Sequence, residues 1–333
     1  MAIADLPLAV GPAMIKTEPS FLFFGSDWSC ARMDNVLTLI ANPATAVLDD
    51  NTVSAARRAL ATLNVDTAPA DWLAPGQAAD IAFSSTSLLA AETCVRQAMD
   101  GQALDVIAQR AYRRKKKLLI ADMDSTIVTG ETLDELAAFA GLKDKIAAIT
   151  HRAMQGELDF ATALRERVAM LGGLDESFLA QTMNQINLTP GAEALIATMR
   201  ANGAVTALIS GGFSYFTDRV RQRVGFNSSL GNQLGIKDGK LTGQVIPPIV
   251  DKDTKLNMLT DTAEQLGLGM SDTMAIGDGA NDVPMLAAAG LGVAFHAHPV
   301  ARQAARARLN FADLTGALFL QGYRLDEFSV TAA

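Results

Sequence analysis

Four consecutive apolar residues, Leu118-Leu119-Ile120-Ala121, are followed at once by Asp122-Met123-Asp124-Ser125-Thr126, and this stretch constrains the fold more than any other. The apolar run reads as a strand buried on both faces, as in parallel sheets. Asp122 and Asp124 stand two residues apart, so on an extended backbone their carboxylates share a side. In open α/β sheets, ligands bind at the carboxyl ends of strands. Two like charges held there oppose each other's ionisation and call for a cation as third party. Taken alone, the stretch reads equally well as a loop with two solvated aspartates. The rest of the chain decides between the two.

Downstream, helical periodicity runs over residues 131–141, 143–155, 160–171 and 176–185, a helical insertion of about 130–186. Strands are predicted at 204–209, 273–276 and 292–295, with helices between them and a hairpin over 230–247 that turns at Asp238-Gly239. Strands alternating with helices mean a doubly wound, parallel, Rossmann-like sheet covered on both faces. The insertion becomes a helical cap on this α/β domain.

Three predicted strand ends carry chemistry: Asp122 with Asp124, Ser210-Gly211-Gly212, and Gly277-Asp278-Gly279-Ala280-Asn281-Asp282. Lys255 opens a helix between the last two. Singly, each is bland: a turn, a loop, a surface lysine. Together they fit phosphoryl transfer through an aspartyl phosphate. A carboxylate can attack phosphorus in line. A divalent cation and a lysine can neutralise the crowded negative charge. A hydroxyl and backbone N–H groups can cradle the phosphate oxygens. A second carboxylate can protonate the leaving alkoxide and then activate water.

These four motifs, in this order, resemble the haloacid dehalogenase superfamily and, within it, the phosphoserine phosphatases. The likeness runs from about residue 117 to the C-terminal region. It implies Asp122 as nucleophile and Mg²⁺ ligand, and Asp124 as general acid/base that gives the metal its backbone carbonyl. Asp278 would be the third protein ligand, with Asp282 supporting Lys255 or the metal. Ser210, Gly211 and Lys255 would hold the phosphate, Gly212 would support them, and Asn281 would contact its substrate side. Lys252 is nearby, but the spacing to Asp278 favours Lys255. The likeness also implies a cap glutamate for the substrate ammonium and a cap arginine for its carboxylate, which fall on Glu131 and Arg167. Arg165 is the alternative if that helix is rotated. Both could instead be plain helix-surface charges, whereas the likeness favours the binding roles. Met154 and Phe160 are expected to line the pocket.

The implied activity is Mg²⁺-dependent hydrolysis of O-phospho-L-serine, the last step of serine biosynthesis. Its rivals are transfer of the phosphoryl group to homoserine, hydrolysis of another small phosphomonoester, and an amino-acid-sensing role for the N-terminal part. Mg²⁺ over Mn²⁺ follows from hard oxygen ligands and availability.

Residues 1–34 read as a loose tail, and the pattern would also allow translation to start at Met33. Residues 35–112 give the order β-α-β-β-α-β, a small ferredoxin-like α+β domain that resembles ACT-type modules, which bind amino acids or pair subunits into dimers. The basic run 113–117 is read as a solvated linker into the phosphatase domain, residues 113–333. A net charge of −8 argues against a nucleic-acid partner. The cysteines Cys30 and Cys94 have no metal spacing and suggest a reducing compartment. No apolar run is long enough to span a membrane, and no secretory signal is visible. The expectation is a cytoplasmic enzyme acting on a small molecule.

Overall fold

The computed structural model describes residues 33–84, 86–154 and 157–329. The tail expected over 1–34 lies outside them except for its last two residues.

The first layer contains β1 (Asn35–Ala41), α1 (Asp50–Ala61), β2 (Asp71–Ala74), β3 (Ala78–Phe83), α2 (Leu88–Ala98) and β4 (Leu104–Arg110). Its sheet is antiparallel throughout, in the order β2-β3-β1-β4. Helix α1 starts where Asp49 accepts from the Thr52 N–H, and it buries Val53, Ala56 and Leu60 at helical spacing. Helix α2, capped by Ser87, buries Ala91 and Val95. The strand expected over 67–73 is shorter, because Pro69 has no N–H for a ladder and Thr67 reaches Phe83 only through an isolated bridge.

The basic run corrects the sequence reading. It is solvated only in part: Arg113, Lys115 and Lys117 are exposed, whereas Arg114 and Lys116 are partly buried. The Arg114 side chain is only 11% exposed, and its guanidinium forks onto Asp80, with Nη1 at 2.5 Å from Oδ2. It also donates to Thr38 Oγ1 (3.1 Å) and to the carbonyls of Phe319 (3.0 Å) and Leu320 (3.1 Å). Arg113 pairs with Asp272, and Lys116 Nζ caps the Ser271 carbonyl. Runs of like charge usually point to water, but here the partners come from segments far away in sequence.

The second layer begins with β5 (Leu118–Ala121) and runs into the cap helices α3 (Thr132–Phe139), α4 (Lys143–Met154), α5 (Phe160–Ala169) and α6 (Ser177–Gln185). Then come α7 (Ala192–Ala201), β6 (Val205–Phe213), α8 (Ser214–Val224), β7 (Ser228–Lys237), β8 (Lys240–Ile246) and α9 (Lys252–Gln265). The chain ends with β9 (Thr273–Gly277), α10 (Val283–Ala288), β10 (Leu291–Phe295), α11 (Pro299–Ala304), β11 (Ala307–Leu309) and α12 (Gly316–Leu320). The sheet order is β11-β10-β9-β5-β6-β7-β8, parallel except for β8. It is therefore mixed, not wholly parallel. Strand β11 was not expected: its three residues, Ala307-Arg308-Leu309, follow Arg306, have an arginine at their centre and carry no apolar run.

β5 lies at the centre, with β6 on one side and β9 on the other. Leu118 and Ile120 pack on one face and Leu119 and Ala121 on the opposite face, so both covering layers grip the strand. The chain leaves β5 to one side and later returns on the other, which opens a crevice at its carboxyl end. β6 runs four residues past its expected end, so Ser210-Gly211-Gly212 is the tip of the strand itself. The pairing with β7 slips there, between Ile209 and Phe213. Among the described residues, no helix is long and apolar enough to cross a membrane.

Candidate active site

β5 carries Asp122 into the crevice, its N–H held by the Ile276 carbonyl of β9 at 3.0 Å. The chain then turns tightly over Met123–Ile127, with Ser125 in the left-handed region at φ 55°. This turn sends the two carboxylates to different tasks. Asp124 Oδ1 accepts the Thr132 N–H at the start of α3 (2.8 Å), and Oδ2 accepts from Ser210 Oγ (2.8 Å). Ser210 Oγ in turn accepts the Gly212 N–H (2.8 Å). Gly212 makes room at this point: a Cβ there would stand 2.8 Å from Asp124 Oδ2 and 3.0 Å from Ser210 Oγ, so one of these side chains would have to shift.

Helix α9 starts with a capping box in which Asp251 and Thr254 satisfy each other's backbone. One residue further, Lys255 is wholly buried. Its Nζ donates to Asp122 Oδ1 (2.5 Å) and Asp282 Oδ1 (2.7 Å). The other oxygen of Asp282 accepts the N–H groups of Asp278 (3.1 Å) and Gly279 (3.0 Å). Asp278 Oδ1 accepts from Thr126 Oγ1 at 3.3 Å.

Asp122, Asp278 and Asp282 each offer an oxygen, all within 4.8 Å of one another. Burial pushes the Asp122 carboxyl well above the ordinary range; Lys255 opposes this, and Asp282, Asp278 and Asp124 reinforce it. Burial, with the Asp282 charge, pushes Asp278 up to about 6. Burial also raises Asp124, against its hydrogen bonds from Thr132 and Ser210. Burial alone would discharge Lys255, but Asp122 and Asp282 outweigh it and push its pKa up. Three carboxylates around one lysine are short of positive charge. An all-oxygen donor set with that deficit fits a hard divalent cation. Both oxygens of Asp282 are already engaged, so Asp122 and Asp278 are the carboxylates suited to it.

Glu131 and Arg167 stand at the mouth. Glu131 is solvent-reached, but its carboxyl turns inward and accepts from Ser125 Oγ at 2.7 Å. Desolvation there, then the charge of Asp124, push it up to about 7. Arg167 is half-buried, and its Nε donates to the Ala163 carbonyl (3.3 Å). Burial lowers its pKa, while Asp134 and Glu131 pull it back up. Arg165 is exposed on the same helix. The crevice thus joins an acidic floor, built around one lysine, to a glutamate and an arginine near its mouth.

Residues 119–287 match the haloacid dehalogenase-like hydrolase family. The chain is 39% identical over 295 residues to phosphoserine phosphatase from Streptomyces coelicolor, covering 88% of this chain and 72% of that protein. The chain belongs to the phosphoserine phosphatase family of the haloacid dehalogenase-like hydrolases. It is also 44% identical over 220 residues to phosphoserine phosphatase SerB2 from Mycobacterium tuberculosis, of which it spans about half (54%). The unliganded crystal structure of a probable phosphoserine phosphatase from Vibrio cholerae superposes with a TM-score of 0.72 at 31% identity, covering 91% of both chains.

Against the expectations from this family, Asp122, Asp124, Ser210, Gly211, Gly212, Lys255, Asp278 and Asp282 meet in one crevice. Asn281 lies on the same loop, its amide oxygen against Gly279. Phe160 hangs over the cradle, its Cζ 3.0 Å from where a Cβ on Gly211 would be. The Met154 side chain lies outside the described residues. Sequence reading missed Asn232 on β7, which is fully buried. Its Nδ2 donates to the Gly211 carbonyl (2.8 Å) and the Val250 carbonyl (3.3 Å), and its Oδ1 accepts the Val250 N–H (2.8 Å). It ties the tip of β6 to the segment that leads into the Lys255 helix. A single asparagine inside a hairpin gives no sequence signal for such a role.

Proposed function

We propose that this phosphoserine phosphatase family member hydrolyses O-phospho-L-serine to L-serine and inorganic phosphate through a phosphoryl group carried on Asp122. The observation that carries the reading is Glu131, held by Ser125 close enough to Asp124 to feel its charge, with Arg167 near enough to feel the charge of Glu131 in turn. The substrate has a phosphate, an ammonium and a carboxylate, and the crevice has a counterpart for each. Guanidinium grips a carboxylate bidentately, and a carboxylate suits an ammonium.

In this mechanism the phosphate oxygens rest on Ser210, the Gly211 and Gly212 backbone, and Lys255, with Asn281 on the substrate side. An Asp122 oxygen attacks phosphorus, and the bond from phosphorus to the serine oxygen breaks. Asp124, whose raised pKa suits an acid, gives its proton to that oxygen. Asp124 then takes a proton from water, the water oxygen attacks phosphorus, and Asp122 is released with free phosphate. Mg²⁺, held by Asp122, Asp278 and the Asp124 carbonyl, would supply the positive charge that both anions need when they meet. Phe160 and the cap exclude bulk water around the reacting group.

The antiparallel order β2-β3-β1-β4 on a β-α-β-β-α-β chain supports reading residues 35–112 as a ferredoxin-like, ACT-like domain in front of the catalytic one.

The deciding experiment is phosphate release from L-phosphoserine, phosphothreonine, phosphohomoserine and a sugar phosphate, with Mg²⁺ and with EDTA. Preference for phosphoserine that is lost in EDTA supports the proposal. Preference for another ester overturns the assignment of Glu131 and Arg167. Faster phosphorylation of added homoserine than release of phosphate overturns the hydrolase reading.

Gly212→Ala forces a methyl against Asp124 and Ser210, so kcat/KM should fall about a hundredfold, as when one oxyanion donor is lost. Steady-state kinetics beside a thermal melt will check this; a near-normal rate would mean that the strand tip adjusts freely.

The pH dependence follows from Glu131. It must be ionised to hold an ammonium, and its pKa is about 7. The limb of kcat/KM near that pH should therefore rise with pH, and Glu131→Gln should lack it. The variant should also lose about a hundredfold in kcat/KM, the loss of one partner in a charge pair (~2.7 kcal/mol). An unchanged limb in Glu131→Gln would assign the titration to another group.

A further inference from the structure

We infer that a cleft between the N-terminal layer and the catalytic sheet, separate from the crevice, binds a small oxyanion, a carboxylate or a phosphate on a short aliphatic body. The cleft measures about 380 Å³, within the range of small-ligand sites. Its charged lining is Glu92 from α2 with Arg306 and Arg308 from β11 and its approach, and its apolar walls include Leu89, Leu286 and Ala287.

Glu92 cannot serve a cationic ligand, because it is buried and already engaged. It accepts the Ala108 N–H at 3.1 Å and pairs with Arg96 at 3.3 Å and Arg306 at 3.4 Å. Arg308 approaches it only to 3.8 Å, beyond hydrogen-bond reach, while its Nε holds the Arg302 carbonyl. Asp105 also acts on Arg96, but its oxygens are taken by the N–H groups of Asn310, Phe311 and Ala312. Three guanidiniums thus meet two occupied carboxylates, a surplus of one positive charge. Arg306 and Arg308 stay about a third exposed, 37% and 34% of their side chains. A guanidinium fork with N–H groups turned to a cleft selects an oxyanion. The alanine and leucine walls select a small aliphatic remainder.

The cleft has a direct path to the reaction centre. Leu286 and Ala287 lie in α10, a helix of six residues whose N-cap is Asp282. Asp282 is the residue that grips Lys255. An occupant that presses on α10 bears on that ion pair through one rigid turn and a half of helix, so occupancy should alter turnover.

The test uses the full chain in EDTA, titrated calorimetrically with inorganic phosphate and, separately, with propionate. Saturable binding of at least one, weakened about tenfold or more in Arg308→Gln and retained in Lys255→Ala, is expected. The two arms tell which oxyanion the cleft prefers. No saturable heat with either probe overturns the site, as does binding that survives Arg308→Gln but vanishes in Lys255→Ala. Arg306 also holds the Ala108 carbonyl, so Arg308→Gln, on the less engaged guanidinium, is the primary variant. In Mg²⁺, propionate should shift kcat in the wild type and not in Arg308→Gln. Binding without any shift in kcat would overturn the link through α10.

Discussion

Asp122→Asn should abolish phosphate-ester turnover, by at least ~10⁴-fold, and yet yield a chain that melts higher than the wild type in EDTA. The loss follows from the chemistry: an amide oxygen cannot displace the ester and carry the phosphoryl group, and deleting a nucleophile costs more than deleting any binding contact. The gain in stability follows from electrostatics. Burial, with three neighbouring carboxylates, raises the Asp122 pKa well above its unfolded value of 3.8. Between 3.8 and the raised value, the folded chain therefore binds more protons than the unfolded one. Stability contributed by this group falls as pH climbs through that window. Asparagine keeps the shape and removes the charge, so the advantage of the variant should grow with pH above about 4. Thermal melts at several pH values, beside phosphate release, test both halves. Residual turnover near the wild-type rate would remove Asp122 as nucleophile. A variant that melts lower at neutral pH would show that the Lys255–Asp122 bond outweighs the crowding.

Arg114→Ala should produce the largest loss of stability of any single change in the basic run, about 3–5 kcal/mol. The substitution leaves Asp80 buried without its counter-charge and strips a donor from Thr38 Oγ1 and from the carbonyls of Phe319 and Leu320. Lysine should recover only part of this, since a point charge cannot fork onto two carboxylate oxygens and two carbonyls. Arg114→Met combined with Asp80→Leu should lose less than the sum of the two single changes, because no buried charge is then unpaired. Urea unfolding with the slope held constant is the measurement. A cost under 1 kcal/mol for Arg114→Ala would return the run to the exposed-charge reading.

The catalytic floor was legible because its residues sit at strand ends. Strand periodicity placed Asp122, Ser210 and Asp278 at one rim of one sheet, and rim position is what brings distant residues together. The long cap helices were legible for a similar reason: their apolar spacing is strong, and the observed ends fall within a few residues of those expected. What escaped was whatever depends on a partner distant in sequence. Arg114 looks like any other member of a basic run until Asp80 and the carbonyls of Phe319 and Leu320 are placed around it. Asn232 has no motif because both of its partners are backbone groups. Ser210-Gly211-Gly212 was expected just past the end of β6, and the strand runs through it to Phe213, where pairing with β7 resumes after a shift in register. β11 is too short and too polar to announce itself, and its pairing with β10 gives it its extended form.

Asn232 has one more consequence. With the strand tip and the approach to the lysine helix locked to a single amide, the floor is assembled before any substrate arrives. Its parts cannot drift apart when the cap opens. The search for a reactive geometry then falls to the cap and the incoming molecule alone, so a slow step in the catalytic cycle would be set by how the lid moves and not by rebuilding the anion cradle.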